Sequence, residues 1–436
     1  MSGMRYAICR ARGKERPGSR VVERNLLFLA VLYLMAGMIT LYLDESMAPT
    51  VLAVVAGLIV AVALLLVHAY WKASNFRGDR YLLPITAIII STGLVFLFRL
   101  DPYYGLRQFI WILLGLGALV FTSRLLLNFR FLSDYKYTYA LFGLIALILP
   151  IFFGKVQGGA KSWLDFHFFQ LQPSEFVKIL LVLFLAGYLA ENRAILTAGT
   201  RSLKGISLPR PLEWVPLVTM WGISLLLLVF QRDLGAALIY FGAFLAMIYA
   251  ATARVAYVLS GMGLFAAGAY TSYFLFDHVR ARVLIWLNPW PYIDDIGYQI
   301  TQSLFAIGSG GIFGTGLGQG YPHYIPLVHS DFIFAAICEE LGLLGGAGII
   351  ILFMMLVYRG IKIALRARGD FSALLAIGLT SLLGLQVLII IAGVTKMLPL
   401  TGITLPYVSY GGSSLVANFI LLGLLLNISH EANDRL

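Results

Sequence analysis

An all-α polytopic membrane protein is the fold class that the sequence predicts, and three observations carry the prediction. Hydrophobic residues make up 60% of the chain and charged residues only 12%. Mean hydropathy is +0.87. The apolar runs are long and unbroken, matching the roughly 20 helical residues needed to cross a hydrocarbon core about 30 Å thick. Strand-like alternation of apolar and polar residues is absent from these runs, which excludes a membrane barrel.

Taken in order, a basic tail over 1–25 comes first, followed by about twelve spans of the required length. They are predicted near 26–43, 50–71, 82–98, 107–123, 137–153, 175–190, 213–230, 235–252, 256–276, 332–357, 372–392 and 413–429. The first apolar run is too long for a signal-peptide core and no small-x-small cleavage site follows, so it is expected to be retained as a span. Alternate connections carry the basic residues. The tail holds Arg5, Arg10, Arg12, Lys14, Arg16, Arg20 and Arg24. Later connections hold Lys72, Arg77 and Arg80, then Arg124, Arg130 and Lys136, then Arg193, Arg201, Lys204 and Arg210, then Arg359, Lys362, Arg366 and Arg368. Positive charge marks the cytoplasmic side. Both termini are therefore expected inside, the short tail 431–436 included, and the loop 277–331 outside. On this reading the net charge of +11 reflects topology and anionic membrane lipid rather than nucleic acid. Cys9 and Cys338 fall in the tail and in a span, which leaves no disulfide framework and no cysteine metal site.

No connection on the basic side is long enough to fold alone, and no internal repeat is evident. Three outer segments hold the unusual sequence: GGAKSWLDFHFFQLQPSE, the long loop 277–331, and TKMLPLTGITLPYVSYGGSS. Irregular backbone near membrane depth must be buried in protein or face a watery cavity. Convergence of the three predicts a pocket opening outward.

Within the long loop, Asp294 and Asp295 are adjacent beside Trp290, Tyr292 and Ile293. A carboxylate among apolar and aromatic neighbours is a candidate general base. The alternative is a helix cap, with Asp295 starting a short helix IGYQITQSLFAIG that Gly308 ends. Arg280, Arg282 and Lys161, and with less weight Arg232 and Lys396, lie on the side where basic residues are disfavoured. A bound pyrophosphate would account for them, against interfacial snorkelling as the plainer reading. Glu339 and Glu340 lie inside a span, where ionisable groups usually face the interior. About 100° apart on a helix, they predict one bonded carboxylate and one less constrained. Glu175 starts a helix three residues before Lys178, a natural ion pair. The glycines of GSGGIFGTGLGQG lack the phosphate-loop pattern and predict a backbone-dense turn against other helices. His323 and His329 near Asp331 show no zinc spacing; no cofactor is expected, and a divalent metal is left open.

Five blocks in order, GGAKSWLDFHFFQLQPSEFVK, FQRDLGAAL, GYQITQSLFAIGSGGIFGTGLGQG, HSDFIFAAICEELGLLG and LPLTGITLPYVSYGGSS, resemble the FtsW/RodA/SpoVE (SEDS) family over roughly 81–430. The resemblance implies a ten-helix core, leaving about two extra N-terminal transmembrane helices over 26–80. It implies a peptidoglycan glycosyltransferase of the bacterial plasma membrane that polymerises lipid II, the undecaprenyl-pyrophosphate-linked disaccharide peptide. The reaction would occur at the outer face, with inversion, beside a single-pass class B penicillin-binding protein. The family's essential Asp follows an NP-W element, here Asn288, Pro289 and Trp290. Counted without gaps its position holds Tyr292, and Asp294 and Asp295 follow. FQRDLG has Arg232 where the family often has Pro, and keeps Asp233. The candidate substrate-binding residues are Lys161, Trp163, Glu175, Lys178, Asp233, Gln302, Ser303, Asp331, Glu339, Lys396, Ser409 and Tyr410, with Arg280, Arg282 and Lys161 meeting the pyrophosphate. The rival readings are a flippase for the lipid-linked precursor and a non-catalytic scaffold for a transpeptidase.

Overall fold

A computed structural model describes residues 20–43, 51–125, 129–157, 160–166, 169–198, 201–203, 206–208 and 211–434. Cys9, most of the basic tail, Lys204 and Arg210 lie outside the described residues.

The long helices are α1 (Val21–Leu43), α2 (Val51–Ala73), α3 (Leu82–Leu100), α4 (Pro102–Leu125), α5 (Lys136–Phe153) and α6 (Pro173–Ala198). They continue as α7 (Pro211–Phe230), α8 (Leu234–Thr252) and α9 (Val255–Leu275). Two short helices follow, α10 (Asp277–Leu287) and α11 (Tyr298–Gly310). The chain closes with α12 (Ile333–Arg366), α13 (Asp370–Val394) and α14 (Gly412–Asp434). Eleven of these are long and apolar enough to cross a membrane, and Val215–Phe230 of α7 is a shorter apolar helix at the remaining predicted span. The protein is thus an all-α polytopic membrane protein. Two features of the irregular segments were not predicted. Lys155–Gln157 (β1), Ala160–Asp165 (β2) and Gln170–Leu171 (β3) form a small antiparallel sheet, and Arg201–Leu203 (β4) pairs with Ile206–Leu208 (β5).

Burial follows the apolar pattern. A helix apolar on all faces belongs in the interior, and α3 buries nearly every residue between α1, α4 and α12. Its hydroxyls bond back into the helix, Ser91 to the Ala87 carbonyl at 2.7 Å and Thr92 to that of Ile88 at 3.0 Å. That satisfies them where no water can. By contrast α9 buries no residue and packs only beside α8 and α10 among its larger contacts. Apolar and unburied, its surface faces lipid. The two additional helices pack onto the core, α1 against α3 and α2 against α4.

The glycine-rich segment is a backbone-dense turn against α12. The Thr315 and Gly316 N–H groups donate to the Glu339 and Glu340 carbonyls, each at 3.0 Å. Their acceptors are free because α12 breaks at Gly342, whose φ of +67° only glycine adopts readily. A Cβ at Gly342 would lie 2.3 Å from the Gly314 nitrogen. Glu339 and Glu340 are both buried and both bonded. Glu340 pairs with Arg99 at 2.7 Å, and the Tyr321 N–H donates to Glu339 at 2.8 Å. Glu340 is bonded through both oxygens, the second taking the Gly318 N–H at 3.0 Å, whereas the other Glu339 oxygen has no hydrogen-bond partner among the described residues, so Glu339 is the less constrained of the two.

The short loop helix exists, with a different cap from the one expected. Gly297 is its N-cap and no side chain bonds there. Asp295 contributes only its carbonyl, to the Tyr298 N–H at 3.1 Å, and Gly308 lies within the helix rather than ending it.

Candidate functional site

The three irregular segments converge with the helix ends beside them to enclose a cavity of about 1150 Å³. One wall is aromatic: Tyr103, Tyr104 and Trp111 of α4, Trp163 of β2 and Tyr410. Tyr104 stacks on His329, with ring centroids 3.9 Å apart. The lining is also charged, with Arg232, Asp233, Arg282, Asp331 and Lys396.

At one end of the cavity the start of α6 supplies an ion pair. Lys178 donates to Glu175 at 2.6 Å, to Gln386 at 2.9 Å and to Asn418 at 3.5 Å. Such a satisfied network is what permits an ammonium among packed spans. Asp233 is the N-cap of α8. It accepts from the Ala236 N–H at 3.0 Å and the Gln172 side-chain amide at 3.0 Å. Burial raises its carboxyl above the usual range, against those bonds.

Arg282 and Asp331 meet across Gly402. A Cβ built on Gly402 would lie 3.4 Å from the Asp331 Oδ2 and 3.9 Å from the Arg282 Nη2. Gly402 has φ +71°, so the bare backbone leaves that space open. Arg282 donates to the Thr401 carbonyl at 3.3 Å, and burial lowers its pKa while Asp331 and Asp233 hold it up. Burial pushes the Asp331 carboxyl up to about 6. The segment before it is stitched to the last loop. The Tyr410 N–H donates to the His329 carbonyl at 2.9 Å and the Ser409 hydroxyl to that of Ser330. Burial also lowers the His329 imidazole.

Of the residues predicted from sequence, Trp163, Glu175, Lys178, Arg232, Asp233, Arg282, Asp331, Lys396 and Tyr410 line this cavity. The rest stand outside its lining. Lys161 donates to the Ile151 carbonyl at 2.8 Å, Ser303 to that of Val394 at 3.2 Å, and Ser409 accepts from the Leu405 N–H at 2.9 Å. Glu339 belongs to the α12 turn, Gln302 is half-buried on α11, and Arg280 is exposed. Asp294 and Asp295 are exposed on the turn between α10 and α11, although Ile296 beside them does line the cavity. Tyr292 is half-buried, its carbonyl accepting from the Asp295 and Gly297 N–H groups. Sequence reasoning missed Arg107, Tyr104 and His329 as cavity residues. Arg107 carried the same signal as Arg280, a basic residue at the end of a span on the side predicted to be outer.

No group of three or more His, Cys, Asp or Glu side chains that could hold a metal occurs among the described residues. The arrangement is suited to hold a sugar against rings and a phosphorylated group against guanidinium and ammonium, with carboxylates between.

Fold and site together define a class: a many-spanned helical membrane protein with a polar cavity at one end of its bundle. Residues 81–434 match the family described as cell cycle protein, FtsW/RodA/SpoVE. The peptidoglycan glycosyltransferase RodA of Mycobacterium leprae is 43% identical over 82% of this chain and 79% of its own. Stage V sporulation protein E of Bacillus subtilis is 34% identical over 80% of this chain and 96% of its own. Among solved structures, a chain of a peptidoglycan synthase complex that coordinates polymerization and crosslinking superposes with a TM-score of 0.68 at 28% identity. It is matched over 82% of this chain and 98% of its own. The rod shape determining protein RodA of Thermus thermophilus gives 0.59 at 27% identity, over the same shares. The chain belongs to the FtsW/RodA/SpoVE family, and it is a glycosyltransferase.

Proposed function

We propose that the chain polymerises lipid II at the outer face of the bacterial plasma membrane, with both termini in the cytoplasm and a class B penicillin-binding protein beside it. The observation that carries this reading is a cationic and aromatic cavity walled by the loop 277–331. The relatives named as peptidoglycan glycosyltransferases, and the synthase complex among the structural neighbours, support it.

In this reading the donor's pyrophosphate lies against Arg282, Lys396 and Arg232, which meet the negative charge that develops as it leaves. Its sugar lies along Tyr104, Trp111 and Trp163, whose ring faces suit the apolar face of a pyranose. A 4-hydroxyl of the acceptor attacks the anomeric carbon from the opposite side, and the configuration inverts. The isoprenoid chains run out between helices into lipid. A carboxylate of the loop 277–331 takes the hydroxyl proton, a contribution of about 10²- to 10⁴-fold in rate. Asp294 and Asp295, at the rim beside Ile296, are the assignment that the sequence suggests.

The test is polymerisation of lipid II by the purified chain with its transpeptidase partner, read as glycan length. Asp294→Ala and Asp295→Ala test the assignment that the sequence suggests: a loss of about 100-fold in either one would keep it. Full activity in both variants removes the adjacent pair from the reaction. Liposomes carrying lipid II on one leaflet separate polymerisation from transport.

A further inference from the structure

Four acidic side chains line the cavity: Asp165, Glu175, Asp233 and Asp331. Three are already engaged. Asp165 pairs with Lys155 at 2.7 Å, Glu175 pairs with Lys178, and Asp233 caps α8 while accepting from Gln172. Asp331 lacks an ion pair among the described residues, its side chain being hydrogen-bonded by the neighbouring Ser330. Among the described residues no cation lies within 4 Å of it, and its nearest charged influence, Arg282, faces the same open point at Gly402. The exposed pair Asp294 and Asp295 is outside the lining altogether.

Resting on the lipid II reading above, we propose that Asp331 is the general base: its carboxylate faces the space over Gly402, where the acceptor hydroxyl enters, next to the guanidinium that receives the pyrophosphate. The acceptor oxygen forms its bond to the anomeric carbon as the anomeric bond to the pyrophosphate oxygen breaks. The bonding pair leaves with the pyrophosphate, whose charge Arg282 meets, and the hydroxyl proton passes to Asp331 and then to water. Two features of the fold suit this role. The stitching of His329 and Ser330 to Tyr410 and Ser409 fixes the carboxylate in place, as a base within hydrogen-bond reach of its proton requires. Burial also brings its carboxyl near neutrality, where a base works best.

The experiment uses the full chain with its transpeptidase partner and lipid II, and compares wild type, Asp331→Asn and Asp331→Ala. Lipid II capture is measured alongside turnover, and added sodium formate supplies a free carboxylate. Both variants are expected to lose about 100-fold or more in turnover, to capture lipid II as wild type does, and in the Asp331→Ala case to regain about tenfold or more with formate. A variant keeping more than a tenth of wild-type turnover overturns the proposal. Absence of a formate response in Asp331→Ala overturns it too, since a purely structural aspartate would not be replaced by a small anion. Failure of the wild-type complex to polymerise lipid II would instead overturn the reading on which the proposal rests.

Discussion

Asp331 and Lys178 illustrate opposite ways in which a charged residue is held in this bundle. The Asp331 carboxyl is raised from 3.8 to about 6 by burial. Its charged form is thus disfavoured by the fold, a penalty that is absent below pH 4, grows between pH 4 and 6, and is complete above. Two pKa units correspond to about 3 kcal/mol at most. Asp331→Asn is therefore expected to melt at a higher temperature than wild type at pH 8 and at the same temperature at pH 4. Equal melting at both values would show that the site is wetter than its burial implies. Lys178 is held by partners instead, with three acceptors around its ammonium. Lys178→Met strands the Glu175 charge, and removal of one partner of a buried pair costs about 3–5 kcal/mol. A melting curve in detergent checks this, with Glu175→Gln/Lys178→Met expected to recover part of the loss.

At the scale of elements, the break in α12 is the feature on which the glycine-rich loop rests. Gly342 turns the helix so that the carbonyls of Glu339 and Glu340 accept from Thr315 and Gly316. The Glu340 carboxylate meanwhile binds Arg99 and the Gly318 N–H. Gly342→Ala places a Cβ in a conformation (φ +67°, ψ −169°) that essentially only glycine adopts, at a cost of about 1–3 kcal/mol, and against the Gly314 backbone besides. The variant is expected to show faster hydrogen exchange over 311–320 with little change in α13 and α14. Unchanged exchange in the loop would mean that α12 holds its break without glycine. The break itself was not legible in the sequence: the glycine cluster suggested close backbone packing, but nothing local indicated which helix would open to receive it.

For the whole molecule, the bundle gathers its cavity at one end and leaves α9 without buried residues. The basic connections at the other end set the proposed orientation. In intact cells, a cysteine introduced at Arg280 is expected to react with a membrane-impermeant maleimide, and one at Arg366 only after the membrane is opened. The reverse pattern would place the cavity in the cytoplasm and remove lipid II polymerisation at the outer face. The extra helices α1 and α2 pack on α3 and α4, and the family match begins only after them, at residue 81.

By itself the sequence determined the spans, the three irregular segments and the family. Each is written locally, in the length of an apolar run or the order of a motif. The Glu175–Lys178 pair was legible for the same reason, since three positions on one helix bring the groups together. Only the tertiary structure decided which distant charges meet. Arg99 and Glu340 stand 241 positions apart, and Arg282 and Asp331 come to border one space at Gly402. Desolvation depends on everything packed around a group rather than on its chain neighbours. The conspicuous pair Asp294–Asp295 therefore proved exposed, while the single Asp331 came to line the cavity.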